Sequence, residues 1–275
     1  FDLLTLGQVL LRLSPPNNDR LVRGDTFVKQ VGGAELNVAV GVALLGLRTG
    51  VISKLPSHDM GSFMKGKIRS YGVSDDFFMY DDSPSARVGI YYYENGAYPR
   101  KPKVIYDRAN SSFYSLKIDE IPEKAYTASR CFHTSGITLA LSPKVRETTI
   151  EMIKRFKAAG TLVSFDVNFR GNLWTGEEAK ECIEQILPYV DIFFCSEDTA
   201  RLTFKKTGTA REMMKSFTEE YPISIVASTQ RIVHSPKSHT FGSIIYDARK
   251  DIYYEEEPYR DIDVVDRIGS GDAYI

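Results

Sequence analysis

Apolar positions along the chain fall into short continuous runs, and segments of helical spacing separate them. Residues 3–13 read as one buried strand, and residues 33–47 as a helix rich in small apolar side chains. Residues 51–55 form a further strand, followed by a helix over 61–71. The rhythm is clearer in the second half. Strands over 131–134, 161–167, 191–195 and 223–227 alternate with helices over 143–159, 177–187 and 209–219. Pro143 suits a first helical turn, and Ser196 is placed to cap a short helix after the 191–195 strand. Strands that are apolar throughout, taking turns with helices, imply an α/β fold whose mostly parallel sheet is covered on both faces. In such sheets ligands collect beyond the carboxyl ends of the strands. The polar residues just after each strand therefore become the candidates for chemistry.

Two regions break this rhythm. Residues 87–93 and 103–108 are strand-like and aromatic, separated by the turn Asn95-Gly96-Ala97-Tyr98-Pro99. With residues 25–31 they predict a small sheet projecting from the core. Exposed aromatic strands call for a cover, which a substrate or a second subunit of a homodimer or higher homo-oligomer would supply. Near the end, residues 243–246 and 251–255 read as a hairpin.

At 275 residues, with 43% hydrophobic and 26% charged positions, the chain has the make-up of one globular domain, residues 1–275. A net charge of −1 and no long basic run argue against a nucleic-acid partner held by phosphate neutralisation. Cys131, Cys182 and Cys195 are widely spaced and odd in number, which reads as reduced, buried residues rather than disulfides or metal ligands. The histidines have no metal spacing, and His133 sits in an apolar strand that points to the core. No apolar run approaches the roughly 20 residues of a membrane span, and residues 1–4 lack the basic start of a secretion signal. The expectation is a cytoplasmic protein with no membrane partner. The chain starts without Met and stops at Ile275, where a helix is expected to begin, so C-terminal helices are expected to be missing.

Three segments could carry chemistry. Asp266-Arg267-Ile268-Gly269-Ser270-Gly271-Asp272-Ala273 brings bare backbone N–H groups to a helix start, where the dipole favours anions. The carboxylate of Asp272, directly after that loop, can take a proton from an attacking hydroxyl. Gly-Ser-Gly-Asp is also a common loop and cap sequence, so its meaning depends on company. Gly32-Gly33-Ala34-Glu35-Leu36-Asn37 has adjacent glycines that let a ligand approach the backbone, with Asn37 on the first helical turn. Asp166-Val167-Asn168-Phe169-Arg170 follows a strand, and an arginine there can grip a carboxylate or phosphate with two bonds.

Together, the glycine pair near the start and the Asp266–Ala273 run at the end resemble the ribokinase-like (PfkB) carbohydrate kinases over essentially the full chain. Ile268 and Ser270 are mild departures from that family's closing signature. Within the family the chain is most similar to the 2-keto-3-deoxygluconate kinases. That resemblance rests on residues 166–170, on Val104-Ile105-Tyr106-Asp107-Arg108-Ala109-Asn110-Ser111-Ser112, on Val88-Gly89-Ile90-Tyr91, and on Ser228-Thr229 with the 234–246 stretch.

The resemblance implies a three-layer α/β/α core with a small β-sheet lid, its strands inserted at about residues 11–31 and 85–108. It implies ATP and Mg²⁺ as cofactors and an acidic sugar as the small-molecule partner. Asp272 would be the base, at a pKa near the ordinary value of about 4, with Gly269, Ser270 and Gly271 holding the moving phosphoryl group. Gly33, Asn37, Tyr91, Tyr106, Arg108 and Arg170 would bind the substrate, Tyr91 being ambiguous in register with Tyr92 and Tyr93. Asn168, Ser228, Gly269 and Gly271 would border the nucleotide, with Thr229 beside Ser228 as a further candidate. The family's Asn-x-x-Glu segment is replaced here by Ser196-Glu197-Asp198-Thr199, so no metal ligand is assigned, although Glu197 and Asp198 could reach a metal through water. A neutral-sugar kinase of the fructokinase or ribokinase kind and a non-catalytic sugar-binding relative stay open. A dinucleotide-binding oxidoreductase is disfavoured, because no Gly-x-Gly-x-x-Gly follows the first strand.

Overall fold

The computed structural model describes residues 1–96, 99–235 and 237–275; of the aromatic turn, Ala97 and Tyr98 lie outside the described residues. The apolar run at the N-terminus is two strands, not one. β1 (Leu3–Leu6) stops at Gly7, and three residues later the chain joins a different sheet as β2 (Leu10–Ser14). Hydrophobicity conceals the break because Val9, Leu10 and Leu11 are as buried as the strand before them.

The chain then forms β3 (Val28–Gly32), α1 (Ala34–Leu44), β4 (Thr49–Pro56), α2 (Asp59–Ser70) and β5 (Val73–Asp81). The strand β5 carries no clear signal in the sequence, since the polar run 74–76 separates buried Val73 from Phe77, Phe78 and Met79. β6 (Gly89–Glu94) and β7 (Lys103–Asp107) follow, and the order β3-β2-β6-β7 makes the small sheet. Its exposed apolar residues include Val28, Val104 and Ile105.

The remaining elements complete a large sheet. They are β8 (Cys131–Ser135), α3 (Gly136–Ala140), α4 (Pro143–Ala158), β9 (Leu162–Asp166), α5 (Gly176–Glu184), β10 (Ile192–Phe194), α6 (Glu197–Leu202), α7 (Ala210–Glu220), β11 (Ile225–Ser235), β12 (Ser238–Asp247), β13 (Ile252–Glu255) and β14 (Tyr259–Asp263). Side chains cap the helices as their sequences suggest: Ser142 caps α4 ahead of Pro143, and Thr175 and Thr209 form capping boxes with Glu178 and Glu212. Strand order is β13-β12-β11-β10-β9-β8-β1-β4-β5, with β14 also paired to β12. Every pairing from β5 across to β11 is parallel, and those beyond it are antiparallel.

Period-two alternation divides the core. Ile52, Phe77 and Met79 face a cluster built with α3, α4, α5 and α7, whereas Val51 and Phe78 face one built with α1 and α2. The result is the three-layer arrangement, with β1 lying between β4 and β8 where the chain reverses its direction across the sheet. Ligands bind at such a reversal.

Phe156 on α4 stacks on Phe132 of β8 at 4.0 Å and meets Tyr126 edge-on at 5.1 Å, all three buried. Replacing Phe156 by Ala should lower unfolding free energy by about 3–5 kcal/mol, read as a lower denaturant midpoint at an unchanged slope.

Candidate active site

The site begins at Gly33. Its φ of +148° and a carbonyl of Gln8 that would lie 2.6 Å from any added Cβ require glycine there. That close approach sets the first turn of α1 against the β1–β2 crossing. From it the Asn37 Nδ2 donates to Asp272 Oδ2 at 2.7 Å, joining residues 235 positions apart. Glu35, on the same turn, is buried and accepts from Ser135 Oγ at 2.6 Å and Thr138 Oγ1 at 2.8 Å. Burial pushes its carboxyl above the usual range against those two bonds.

Asp272 lies in a wall shared by two cavities. The smaller, about 120 Å³, is lined by Gly33, Asn37, Tyr91, Tyr106, Arg108 and Arg170, with Gln8 and Glu35 beside them. The larger, about 490 Å³, is lined by residues 166–170 after β9, by Ser196, Asp198 and Thr199 around the start of α6, by Ala227, Thr229 and Arg231 of β11, and by residues 267–272. Arg170, Ile268, Gly269 and Asp272 border both. The structure thus brings all six residues of the substrate set around one cavity, with Asp272 at its boundary with the second.

Strand alternation settles the tyrosines. Tyr91 and Tyr93 are buried on one face of β6, where Tyr91 leans on Tyr106 of β7 with ring centroids 6.0 Å apart. Tyr92 turns the other way, towards Phe27. Burial pushes the Tyr91 hydroxyl up to about 12, so it stays protonated and can donate. Arg108 lies 5.5 Å from the Tyr106 ring centroid, and its Nε donates to Gln8 Oε1 at 2.7 Å. Burial also pulls the Arg108 pKa down, and no described carboxylate pairs with it.

The 266–275 segment departs from expectation. No helix starts there; residues 268–274 form successive turns, with Ala273 N bonded to Gly269 O at 2.8 Å and Ile275 N to Gly271 O at 3.4 Å. The Ser270 N–H turns back to Arg267 O at 3.4 Å. The Gly269, Gly271 and Asp272 N–H groups have no partner among the described residues. These are the donors open to an anion. The segment is anchored by Arg12 of β2, which contacts Asp266 at 3.2 Å and lies over Tyr93 at 4.5 Å.

The Asp272 carboxyl is not at its ordinary value. Burial in the shared wall raises it, against the Asn37 bond, the nearby Arg170 charge and Asn168, which lower it. Asn168 follows Asp166 in the left-handed conformation that asparagine tolerates, at φ +38°, and its N–H donates to Asp166 Oδ1 at 3.0 Å. Burial pushes Asp166 up to about 7.

Asn168, Gly269 and Gly271 line the larger cavity; Ser228 does not. Alternation along β11 turns Ala227, Thr229 and Arg231 to the cavity and buries Ser228 beneath α6 and α7. At the segment Ser196 to Thr199, Ser196 caps α6 by accepting from Thr199 N at 3.3 Å. Asp198 faces the larger cavity, while Glu197 is paired to Arg201 at 2.8 Å. Among the described residues no group of three or more His, Cys, Asp or Glu could hold a metal by itself. His133 is a core residue, bonded to Ser164 Oγ at 2.9 Å and pushed down to about 3 by burial.

Sequence reasoning missed Gln8, Arg231 and Arg267. Gln8 was hidden by reading residues 3–13 as one strand. Arg231 and Arg267 line the larger cavity with no carboxylate partner among the described residues, and the signal for Arg231 was its even spacing from Ala227 on one strand face.

The model of the pfkB family of carbohydrate kinases matches residues 1–275, the whole chain. The chain belongs to that family. Across its full length it is 34% identical to a 2-dehydro-3-deoxygalactonokinase of Haloferax volcanii, of which it covers 82%. The crystal structure of a 2-dehydro-3-deoxygluconokinase from Thermotoga maritima superposes with a TM-score of 0.92 at 31% identity, covering 99% of this chain and 84% of that one. A 5-dehydro-2-deoxygluconokinase of Listeria monocytogenes is 26% identical over the full chain, with 81% of its own length covered. The three-layer core and separate small sheet are the fold of these kinases. No described helix of this carbohydrate kinase is long and apolar enough to cross a membrane.

The raised Asp166 pKa has a stability consequence. The folded state holds a proton that the unfolded state releases near 3.8, so the group's contribution is full below that value and is lost as pH rises towards about 7. Asp166→Asn keeps the acceptor for Asn168 N–H without the charge. Its melting temperature should exceed that of the wild-type kinase by a margin that opens between about pH 4 and pH 7 and then levels off. A constant margin across that range would show that Asp166 titrates normally.

Proposed function

We propose that this carbohydrate kinase transfers the γ-phosphoryl group of ATP to the terminal hydroxyl of 2-keto-3-deoxygluconate, giving 2-keto-3-deoxy-6-phosphogluconate. The observation that carries the acceptor class is the pair Arg108 and Arg170 on the smaller cavity, neither with a carboxylate partner among the described residues. A neutral sugar has no use for two such cations, whereas an aldonic acid presents a carboxylate to them. The names of the Haloferax and Thermotoga relatives support the same substrate class.

The donor takes the larger cavity. Its anions meet Arg231, Arg267 and the open N–H groups of Gly269 and Gly271, while Phe169, Phe194 and Phe241 supply apolar wall for a flat base. Mg²⁺ usually keeps one or two protein carboxylates and takes its other oxygens from phosphate and water. Asp198 and Asp166 line this cavity and fit that donor set. When bound with ATP, the ion neutralises charge on the phosphates.

Asp272, in the shared wall, accepts a hydrogen bond from the acceptor hydroxyl and takes its proton as the O–P bond forms. Asn37 orients the carboxylate through its 2.7 Å bond, leaving the other oxygen for the substrate. Tyr91, Tyr106 and Arg108 cover the acceptor and keep water from the phosphoryl group.

Asp272→Asn should lower kcat by at least about 10²-fold while ATP still binds, as measured by calorimetry; retained turnover would remove the base assignment. Because the carboxyl is raised, the acid limb of the wild-type kcat profile should lie above 3.8. Arg108→Met and Arg170→Met should each raise KM for the acidic sugar roughly tenfold or more and change that for a neutral sugar little. A wild-type enzyme that prefers a neutral sugar in an ADP-release assay would overturn the substrate.

A further inference from the structure

Gln8 sits where the chain leaves the large sheet for the small one, and only 3% of it is exposed. A buried primary amide must find partners for one acceptor and two N–H bonds. Here each is used. Oε1 accepts from Arg108 Nε at 2.7 Å, and Nε2 donates to Ser111 Oγ at 2.6 Å and to the Arg108 carbonyl at 3.2 Å. Arg108 Nε can only donate, so the amide orientation follows from chemistry. The Ser111 hydroxyl that anchors it is itself buried.

One side chain therefore holds residue 108 by its main chain and by its guanidinium. The bond at Nε leaves Nη1 and Nη2, which have no partner among the described residues. Two such parallel N–H donors match the two oxygens of a carboxylate. Free arginine has several rotatable bonds, and fixing them on binding costs affinity; a guanidinium already held avoids much of that cost.

We propose that Gln8 is a positioning residue for substrate selection, orienting Arg108 so that its terminal nitrogens meet the carboxylate of an acidic sugar. This rests on the reading of the smaller cavity as the pocket of an acidic sugar. Gln8 touches no reacting atom in this scheme, and its effect runs through Arg108. A residue that merely tied the small sheet to the core would affect all acceptors alike.

The test compares the full-length kinase with Gln8→Met, Ser111→Ala, Arg108→Met and the Gln8→Met/Arg108→Met double variant. Initial rates are taken with 2-keto-3-deoxygluconate and with fructose as a neutral acceptor, alongside thermal melts. Gln8→Met should raise KM for the acid about tenfold, the cost of losing a hydrogen bond to a charged group, with kcat changed much less. Ser111→Ala should move the same ratio in the same direction by a smaller factor. In the Arg108→Met background, Gln8→Met should add nothing further.

Equal losses for the two sugars, or effects of Gln8→Met and Arg108→Met that multiply independently, would overturn the proposal. If Gln8→Met does not fold, Ser111→Ala decides: an unchanged acid-to-neutral ratio overturns it too. If fructose is not turned over, the double-variant comparison on the acid decides alone. A wild-type enzyme that favours fructose would instead remove the acidic-sugar reading on which the proposal depends.

Discussion

The bond from Asn37 to Asp272 is the constraint on which the site depends, because it closes a loop of 235 residues at a single 2.7 Å contact. Each side of that contact is over-determined. Asn37 is placed by α1, whose start is pressed against the Gln8 carbonyl and tolerates only glycine at position 33. Asp272 is placed by a turn-rich segment tied to β2 through Arg12 and packed on the sheet by Tyr274, which meets both Phe194 and Phe241 edge-on. The contact matters chemically because burial alone would favour a neutral Asp272, and the Asn37 donor works against that. The proposed base role needs the anion, and the same bond that positions the carboxylate helps to keep it charged.

Charge placement separates the site from the rest of the surface. Arg87, Arg155, Arg211 and Arg249 each sit against a carboxylate at 3.1 Å or less, the ordinary fate of a surface arginine. Such pairs are worth about 0–1 kcal/mol, so forming them is easy and forgoing them is cheap. Other arginines, such as Arg20 and Arg48, also lack such a partner among the described residues, but Arg108, Arg170, Arg231 and Arg267 are gathered around two adjoining cavities, in a chain whose net charge is −1. Like charges gathered without counter-ions oppose one another; Arg267 lowers the Arg231 pKa by this effect, after burial. Cations clustered on cavity walls at a cost to stability are the physical mark of a place for anions.

Much of this was legible in the sequence because the fold announces itself through local rules. Continuous apolar strands between helices gave the parallel sheet, and the strand-end rule led to residues 32–37, 166–170 and 269–272, which the structure gathers around two adjoining cavities. Where the reading failed, two local signals conflicted or none existed. Residues 3–13 are mostly apolar, with Leu3–Leu6 and Val9–Leu11 on either side of Gly7-Gln8, so the run read as one strand across the change of sheet at residues 7–9, and Gln8 was lost with that break. β5 carries polar residues at 74–76 after its buried Val73, and β11 continues with exposed ones from Gln230, so neither has a core-facing pattern along its whole length. Ser228 and Thr229 differ only in which face of β11 they occupy, and register is a property of the assembled sheet. The Asp272 pKa was equally out of reach, since it is set by burial in a wall that no stretch of sequence describes.

The small sheet is fixed to the core at both sides of the smaller cavity, which the proposed function gives to the acceptor. On one side Gln8 joins the β1–β2 crossing to Arg108 and Ser111; on the other Arg12 joins β2 to Asp266, at the start of the loop that carries Asp272. Both ties pass through β2 or the residues that lead into it. The Arg12–Asp266 pair is the weaker, because Asp266 is 44% exposed and solvent screens it, whereas the Gln8 contacts are buried. In the proposed reading, the firm tie lies beside Arg108, the arginine assigned to the acceptor's carboxylate, and the looser one beside the loop that carries the proposed base.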